Sequence, residues 1–198
     1  MTDKINLQEM EKKAQKLLNE DGMMELLMGA ILFVSSTSYS GTASFTPFLG
    51  LYVVFMRTII EVYRKRVTYP RRGYLKLPDE EAKDVGLGIL MFIGVIMLAL
   101  IVFISLIYGQ ITGVLVYRWI PTLVGLILFG GLYYNYERTG DKVNLVYIAI
   151  GLLSGLGSLL DFTDPKLGPQ LHLLFLSGVF IVAGIIRLRN FTKRYPVV

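Results

Sequence analysis

Residues 85–108 read VGLGILMFIGVIMLALIVFISLIY, twenty-four positions without one charged side chain. At about 1.5 Å of rise per residue, a helix of that length crosses the roughly 30 Å hydrocarbon core of a bilayer. It has no polar face to turn toward water, as the surface helix of a soluble domain needs. The stretch therefore predicts a membrane-spanning helix. Five more apolar stretches, roughly 23–40, 46–63, 113–134, 144–161 and 170–188, reach or approach spanning length. The expected fold class is all-α: a polytopic bundle of six transmembrane helices arranged as three helical hairpins.

The whole chain agrees with that segment. Of its 198 residues 54% are hydrophobic and 18% charged, with 20 Gly besides. Soluble domains hold about 45–50% apolar residues even with Gly included, and about 25% charged ones. A disordered chain is excluded, and so is a soluble enzyme with one ordinary core. The chain has no Cys, which removes thiol nucleophiles, disulfides and thiolate metal sites together. One His, His172, excludes His-rich metal sites. No GxxxxGK[ST] or GxSxG motif occurs. Enzyme activity, a metal and a cofactor are not expected, and no catalytic residue is nominated.

The basic residues set the orientation. With six spans both termini share a side, and that side receives seventeen of the 20 Lys and Arg residues. Only Arg118 and Lys166 fall opposite, and Arg57 lies within a span. The positive-inside rule then places both termini in the cytoplasm of a multi-pass cell-membrane protein. The pI of about 9.3 thus reflects topology, and nucleic acid is not an expected partner.

Organisation follows. Residues 1–22 make a cytosolic amphipathic helix, with Leu7, Met10, Ala14 and Leu17 on one face and Lys12, Lys13 and Lys16 elsewhere, ended by Asp21-Gly22. The first hairpin is 23–63, then a basic cytosolic loop at 64–84 and a second hairpin at 85–134. A loop at 135–143, the third hairpin at 144–188 and a cytosolic tail at 189–198 complete the chain. The even spans share a pattern, an outer Pro leading to a basic end: Pro47 to IIEVYRKR, Pro121 to LYYNYER and Pro169 to IIRLRNFTKR. Residues 144–194, with GLLSGLGSLLDF, Asp164-Pro165 and FLSGVFIVAGIIRLRNFTKR, resemble the hairpin unit of the acid-resistance membrane protein family. That resemblance implies three such hairpins, six helices in all. The serine-rich first hairpin and the long basic loop depart from the family's pattern.

Four features bear on function. In the loop, VTY (67–69) and YLKL (74–77) flank PRRG (70–73), which predicts a short cytosolic β-hairpin over 65–77. Its cations Arg64, Lys65, Arg66, Arg71 and Arg72 form a patch suited to anionic lipid or an acidic partner, unless they act only as topogenic charge. Arg57 lies about 16 Å into its span at 1.5 Å per residue, with Glu61 one turn on, a pairable intramembrane couple. The run Ser35–Thr46 carries eight Ser and Thr hydroxyls, suited to the outer turn between two helices or to a water-filled cavity. On the outer side Arg118, Asp161, Asp164 and His172 form a polar cluster in which Asp161 can pair with Arg118. The many glycines, Gly151-x-x-x-Gly155 among them, fit close helix approach.

Two function classes remain. One is a non-enzymatic accessory or regulatory component presenting its basic loop to an anionic lipid or a protein partner, or to a second copy of itself. The other is a small-solute or ion transporter or channel using residues 35–46 and Arg57–Glu61. Few buried charges and no acidic relay favour the first.

Overall fold

The computed structural model describes residues 7–40, 55–56, 58–72, 94, 97, 101, 104–105, 108–109, 112–157 and 164–196. Among them there is no strand. The fold is all-α. In chain order the helices are α1 (Leu7–Asn19), α2 (Met23–Ser36), a 3-10 turn (Thr37–Tyr39), a helical stretch over 58–72, α3 (Gly113–Thr139), α4 (Val143–Gly157) and α5 (Leu167–Arg194).

Local chemistry sets the ends of these helices. Gly22 takes φ 73° between α1 and α2, a conformation that costs residues with a Cβ about 1–2 kcal/mol. The Asp21 carboxylate caps α2 there, accepting from the Met23 N–H at 3.1 Å. α3 begins where the Thr112 side chain accepts from the Leu115 N–H, and ends at Gly140, whose φ is 65° and whose N–H donates to the Tyr136 carbonyl. α1 turns Lys12, Lys13 and Lys16 outward, half-buries Ala14 and Leu17 and buries Gln15, which the expected apolar face does not include; the side chains of Leu7 and Met10 lie outside what is described.

Two tight helix pairs carry the packing, α2 along α5 and α3 along α4. Small residues make both approaches possible. A Cβ on Gly184 would lie 2.9 Å from the Leu26 nitrogen, and one on Gly29 would lie 2.6 Å from Ile181 Cγ1. The Ser177 hydroxyl crosses the same seam and donates to the Gly29 carbonyl at 2.8 Å. In the other pair a Cβ on Gly155 would sit 3.0 Å from the Pro121 carbonyl oxygen, and one on Gly125 3.1 Å from that of Gly151. The pairs meet in a core of Leu32, Leu128, Leu132, Tyr147, Leu176 and Phe180, where the rings of Tyr147 and Phe180 stand 5.0 Å apart.

Several expectations change. Residues 67–69 are helical, not the first strand of a β-hairpin: the chain forms a π-helical turn over Arg64–Thr68 and continues as α-helix through Arg72. The preceding helix propagates at the cost of one residue per hydrogen bond, whereas a hairpin must nucleate anew. Thr68 also finds a buried partner, described below, that a strand would forfeit. The widened turn comes just ahead of Pro70, whose ring would otherwise meet the carbonyl four residues back. Residues 74–77 lie outside the described part. α3 starts at Gly113, where the apolar run at 113–134 begins, and carries Pro121 inside it. The loop expected at 135–143 shrinks to 140–142, and α5 runs beyond 188 to Arg194.

Among the described residues two helices, α3 and α5, are long and apolar enough to cross a membrane, and Met23–Tyr39 and Val143–Gly157 are shorter apolar helices. Ten of the eighteen residues of the expected span 46–63 and eighteen of the twenty-four of 85–108 lie outside the described residues, as do residues 41–46 of the run Ser35–Thr46.

Candidate functional site: a buried ion network at one end of the bundle

Five charged side chains from four parts of the chain converge where α1 ends, α2 begins, α3 turns into α4 and α5 nears its end. Asp21 is wholly buried. Its second carboxylate oxygen accepts from the Thr68 hydroxyl at 3.0 Å, and Arg64 Nε stands 3.8 Å from the same atom. One turn along α2, Glu25 is also buried and pairs with Arg187 of α5. The other arm of the Arg187 guanidinium pairs with Asp141 in the α3–α4 turn. Arg187 also donates to the Asn19 carbonyl at 3.4 Å. One planar cation thus ties α1, α2, α5 and the α3–α4 turn, a geometry that suits a guanidinium's fixed fork of donors.

Amides extend the network. The Asn19 side chain donates to Asn135 at 3.0 Å, Asn135 to Asn144 at 3.2 Å, and Asn144 to the Asp141 carbonyl at 3.1 Å. Asp141 is fixed in turn: it accepts from the Val143 N–H, and its own N–H donates to the Thr139 hydroxyl. A pocket of about 230 Å³ opens beside the network, with Lys16, Glu20, Asp141, Arg187, Phe191 and Tyr195 in its wall.

Burial raises Asp21 above its ordinary carboxylate range, while the Met23 N–H, then Arg64 and Thr68, pull it back down. A carboxyl raised in the folded state binds its proton more tightly there than when unfolded. Its contribution to stability is therefore full at low pH and is lost as pH rises through the raised value. Two substitutions test this. Asp21→Asn is expected to change stability at neutral pH by less than about 1 kcal/mol, since an amide still accepts from Met23 and can meet Thr68. It should also flatten the wild-type decline with rising pH. Asp21→Leu orphans the Met23 and Thr68 donors and is expected to cost about 1–3 kcal/mol. Thermal melting in detergent across the carboxylate range separates these outcomes, and equal losses in both variants would contradict the assignment.

The residues nominated from sequence are placed as follows. Arg64 is half-buried and faces Asp21, so it belongs to the network rather than to an open patch. Lys65 and Arg66 are exposed. Arg71 turns one guanidinium nitrogen back to the Val67 carbonyl at 3.0 Å. The Arg72 side chain, Arg57 and Asp161 lie outside what is described, and Glu61 is exposed. Asp164 is exposed and accepts from the Lys166 N–H at 2.9 Å, ordering the turn into α5. His172 is buried beside the Ser154 backbone, with no hydrogen bond of normal geometry at either ring nitrogen among the described residues. Of the expected outer cluster, buried His172 and exposed Asp164 share no hydrogen bond, and Arg118 is exposed on α3.

Asp21, Glu25, Asp141 and Arg187 do not stand out as a site in the sequence reading. A signal existed: Glu25 sits inside the start of an apolar span and Arg187 inside the end of another. That is the same anomaly that singles out Arg57. Counting Arg187 as topogenic charge conceals it.

Chemically the network is a clasp. Its carboxylates meet guanidiniums, hydroxyls and N–H groups, and among the described residues no group of three His, Cys, Asp or Glu could hold a metal ion. Comparison with family models, with curated proteins and with solved structures found no match.

Proposed function

We propose that the chain is a multi-pass membrane protein of six spans with both termini in the cytosol. It acts as a non-enzymatic accessory or regulatory component, presenting the basic segment 64–72 to anionic lipid or to an acidic protein partner. The observation that carries the membrane part is the outward apolar face of the two long helices. Their most apolar stretches have mean hydropathy 1.6 and 2.2, yet only 18% and 33% of those stretches are buried inside the protein. The core helix of a soluble protein would be mostly buried. Here Leu126, Ile127, Phe175, Val182 and Ile186 all stand more than half exposed. Apolar surface repeated along two long helices favours lipid as its solvent.

The clasp supports the second part. Asp21 holds Arg64 and Thr68 against the bundle, which leaves Lys65 and Arg66 exposed on a fixed helical turn. Cations so positioned beside a cytoplasmic leaflet attract anionic headgroups at about 1 kcal/mol each. The transport alternative draws no support from the described hydroxyls. Ser35, Ser36, Thr37 and Ser40 each donate to a carbonyl three or four residues back, so these hydroxyl protons are engaged locally.

A single labelled site tests the proposal. The chain lacks Cys, so Lys65→Cys can carry one environment-sensitive dye. Reconstituted in phosphatidylcholine vesicles, the dye should respond when phosphatidylglycerol is added to the lipid and lose that response at high salt. A dye indifferent to lipid charge, and to an acidic polypeptide as well, would defeat the proposal.

A further inference from the structure

Between the helical stretch 58–72 and the last turns of α5 runs a trough of about 460 Å³, lined by Tyr63, Val67, Arg71, Ile185, Leu188 and Arg189. A second, of about 400 Å³, lies beside it, with Met23, Ile59, Val62 and Arg66 in its wall. Tyr63 and Val67 are common to both. The walls are apolar, the charged lining groups are all guanidiniums, and among the described residues no carboxylate lines either trough. Among the described residues neither Arg71 nor Arg189 pairs with a carboxylate.

Two buried donors there lack acceptors among the described residues. The Tyr63 hydroxyl and Arg71 Nε are both shut off from solvent with no hydrogen-bond partner. A buried donor left unsatisfied is costly, and native proteins rarely leave one so. Water does not reach these two atoms as the side chains stand, and it would not fill the apolar walls. A free anion would match the guanidiniums and leave the same walls empty. An amphiphile with an anionic head satisfies both. Phosphate oxygens fit a guanidinium's paired donors, and acyl chains fit the two troughs on either side of Tyr63.

We propose that these troughs hold one anionic phospholipid, its phosphate accepting from Arg71 and Arg189, one chain lying along Ile185 and Leu188 and the other along Ile59 and Val62, with Val67 between them. The position suits it, because Arg71 and Arg189 stand at the bundle end that the positive-inside rule assigns to the cytosol. A zwitterionic lipid fits less well, since its quaternary ammonium would meet a ring of cations. The inference rests on the membrane reading above, but it specifies a built site where that reading requires only surface charge.

The test is lipid retention by the full-length protein, extracted from phosphatidylcholine–phosphatidylglycerol vesicles and weighed by native mass spectrometry. Wild type should keep one phosphatidylglycerol and release phosphatidylcholine. Arg71→Ala with Arg189→Ala should weaken retention about thirtyfold, as expected for two cations near a lipid surface. Leu188→Trp keeps every charge, fills the trough and should weaken retention comparably. Lys193→Ala with Arg194→Ala removes two cations of the same end outside the trough and should leave retention intact. If both double variants weaken retention equally and Leu188→Trp does not, attraction is diffuse: the site is refuted while the broader proposal stands. Equal retention of phosphatidylcholine, or displacement of the lipid by inorganic phosphate, would also overturn the site. So would a wild-type protein that carries no lipid at all, the result expected if another segment of the chain covers the trough.

Discussion

Replacing Arg187 with Met is expected to be the most damaging single change in the described part of the protein. Arg187 pairs with Glu25 and Asp141 at once, and both carboxylates are buried. Removing the cation leaves two buried acids without a counter-charge, and Glu25 already has one oxygen with no partner among the described residues. Breaking a buried pair by deleting one member costs about 3–5 kcal/mol, most of it the penalty of the charge left behind. The variant should therefore melt far below wild type or fail to accumulate. Neutralising the acids as well tests the mechanism. Arg187→Met combined with Glu25→Gln and Asp141→Asn should recover much of the loss, because no unpaired charge remains. If the triple variant is no more stable than Arg187→Met, the guanidinium contributes by packing and the clasp is not electrostatic.

The second large effect lies on the seam between α2 and α5. A Cβ at Gly184 would meet Leu26 Cγ at 2.8 Å, the Leu26 nitrogen at 2.9 Å and the Gly22 oxygen at 3.0 Å. Two of those are backbone atoms, which cannot swing aside as a side-chain tip can. Gly184→Val must push the helices apart, and overpacking of this kind costs about 1–3 kcal/mol or more. Separation would also lengthen the Ser177–Gly29 hydrogen bond and withdraw Arg187, one turn further along α5, from Glu25. We expect a loss at or above the upper end of that range. Gly178 is the control: it lies on the same helix, and a Cβ there meets nothing within 4 Å. Gly178→Ala should be neutral or stabilising by up to about 1 kcal/mol. Comparable melting temperatures for the Gly184 and Gly178 variants would mean the seam is not tight.

These predictions also show how far the sequence could be read. The apolar runs announce helices because composition and length are local properties, and α3 and α5 formed where the runs at 113–134 and 170–188 lay. The glycine motif at Gly151 and Gly155 was readable as close packing, though nothing local named Pro121 and Gly125 as its partners. Tyr, Val and Thr at 67–69 favour a strand in isolation, but helix already built upstream and the buried Asp21 carboxylate outweighed that preference. The ion network was least legible. Asp21 and Glu25 are one turn apart in sequence, but Asp141 and Arg187 join them only once two helix pairs have packed. A charge near a span end reads the same whether it faces lipid headgroups or a partner inside the bundle.

In the proposed topology the clasped, basic end of the bundle faces the cytosol. This central claim is tested most directly by cysteine accessibility in sealed, right-side-out membrane vesicles. The chain has no Cys of its own, so Lys65→Cys at the clasped end and Lys166→Cys at the start of α5 can each be probed alone. The two positions stand at opposite ends of α5, whose 28 residues extend about 42 Å at 1.5 Å per residue. A membrane-impermeant maleimide should label Lys166→Cys in sealed vesicles and Lys65→Cys only after permeabilisation. Labelling of Lys65→Cys in sealed vesicles, or of both positions from the same side, would contradict the account.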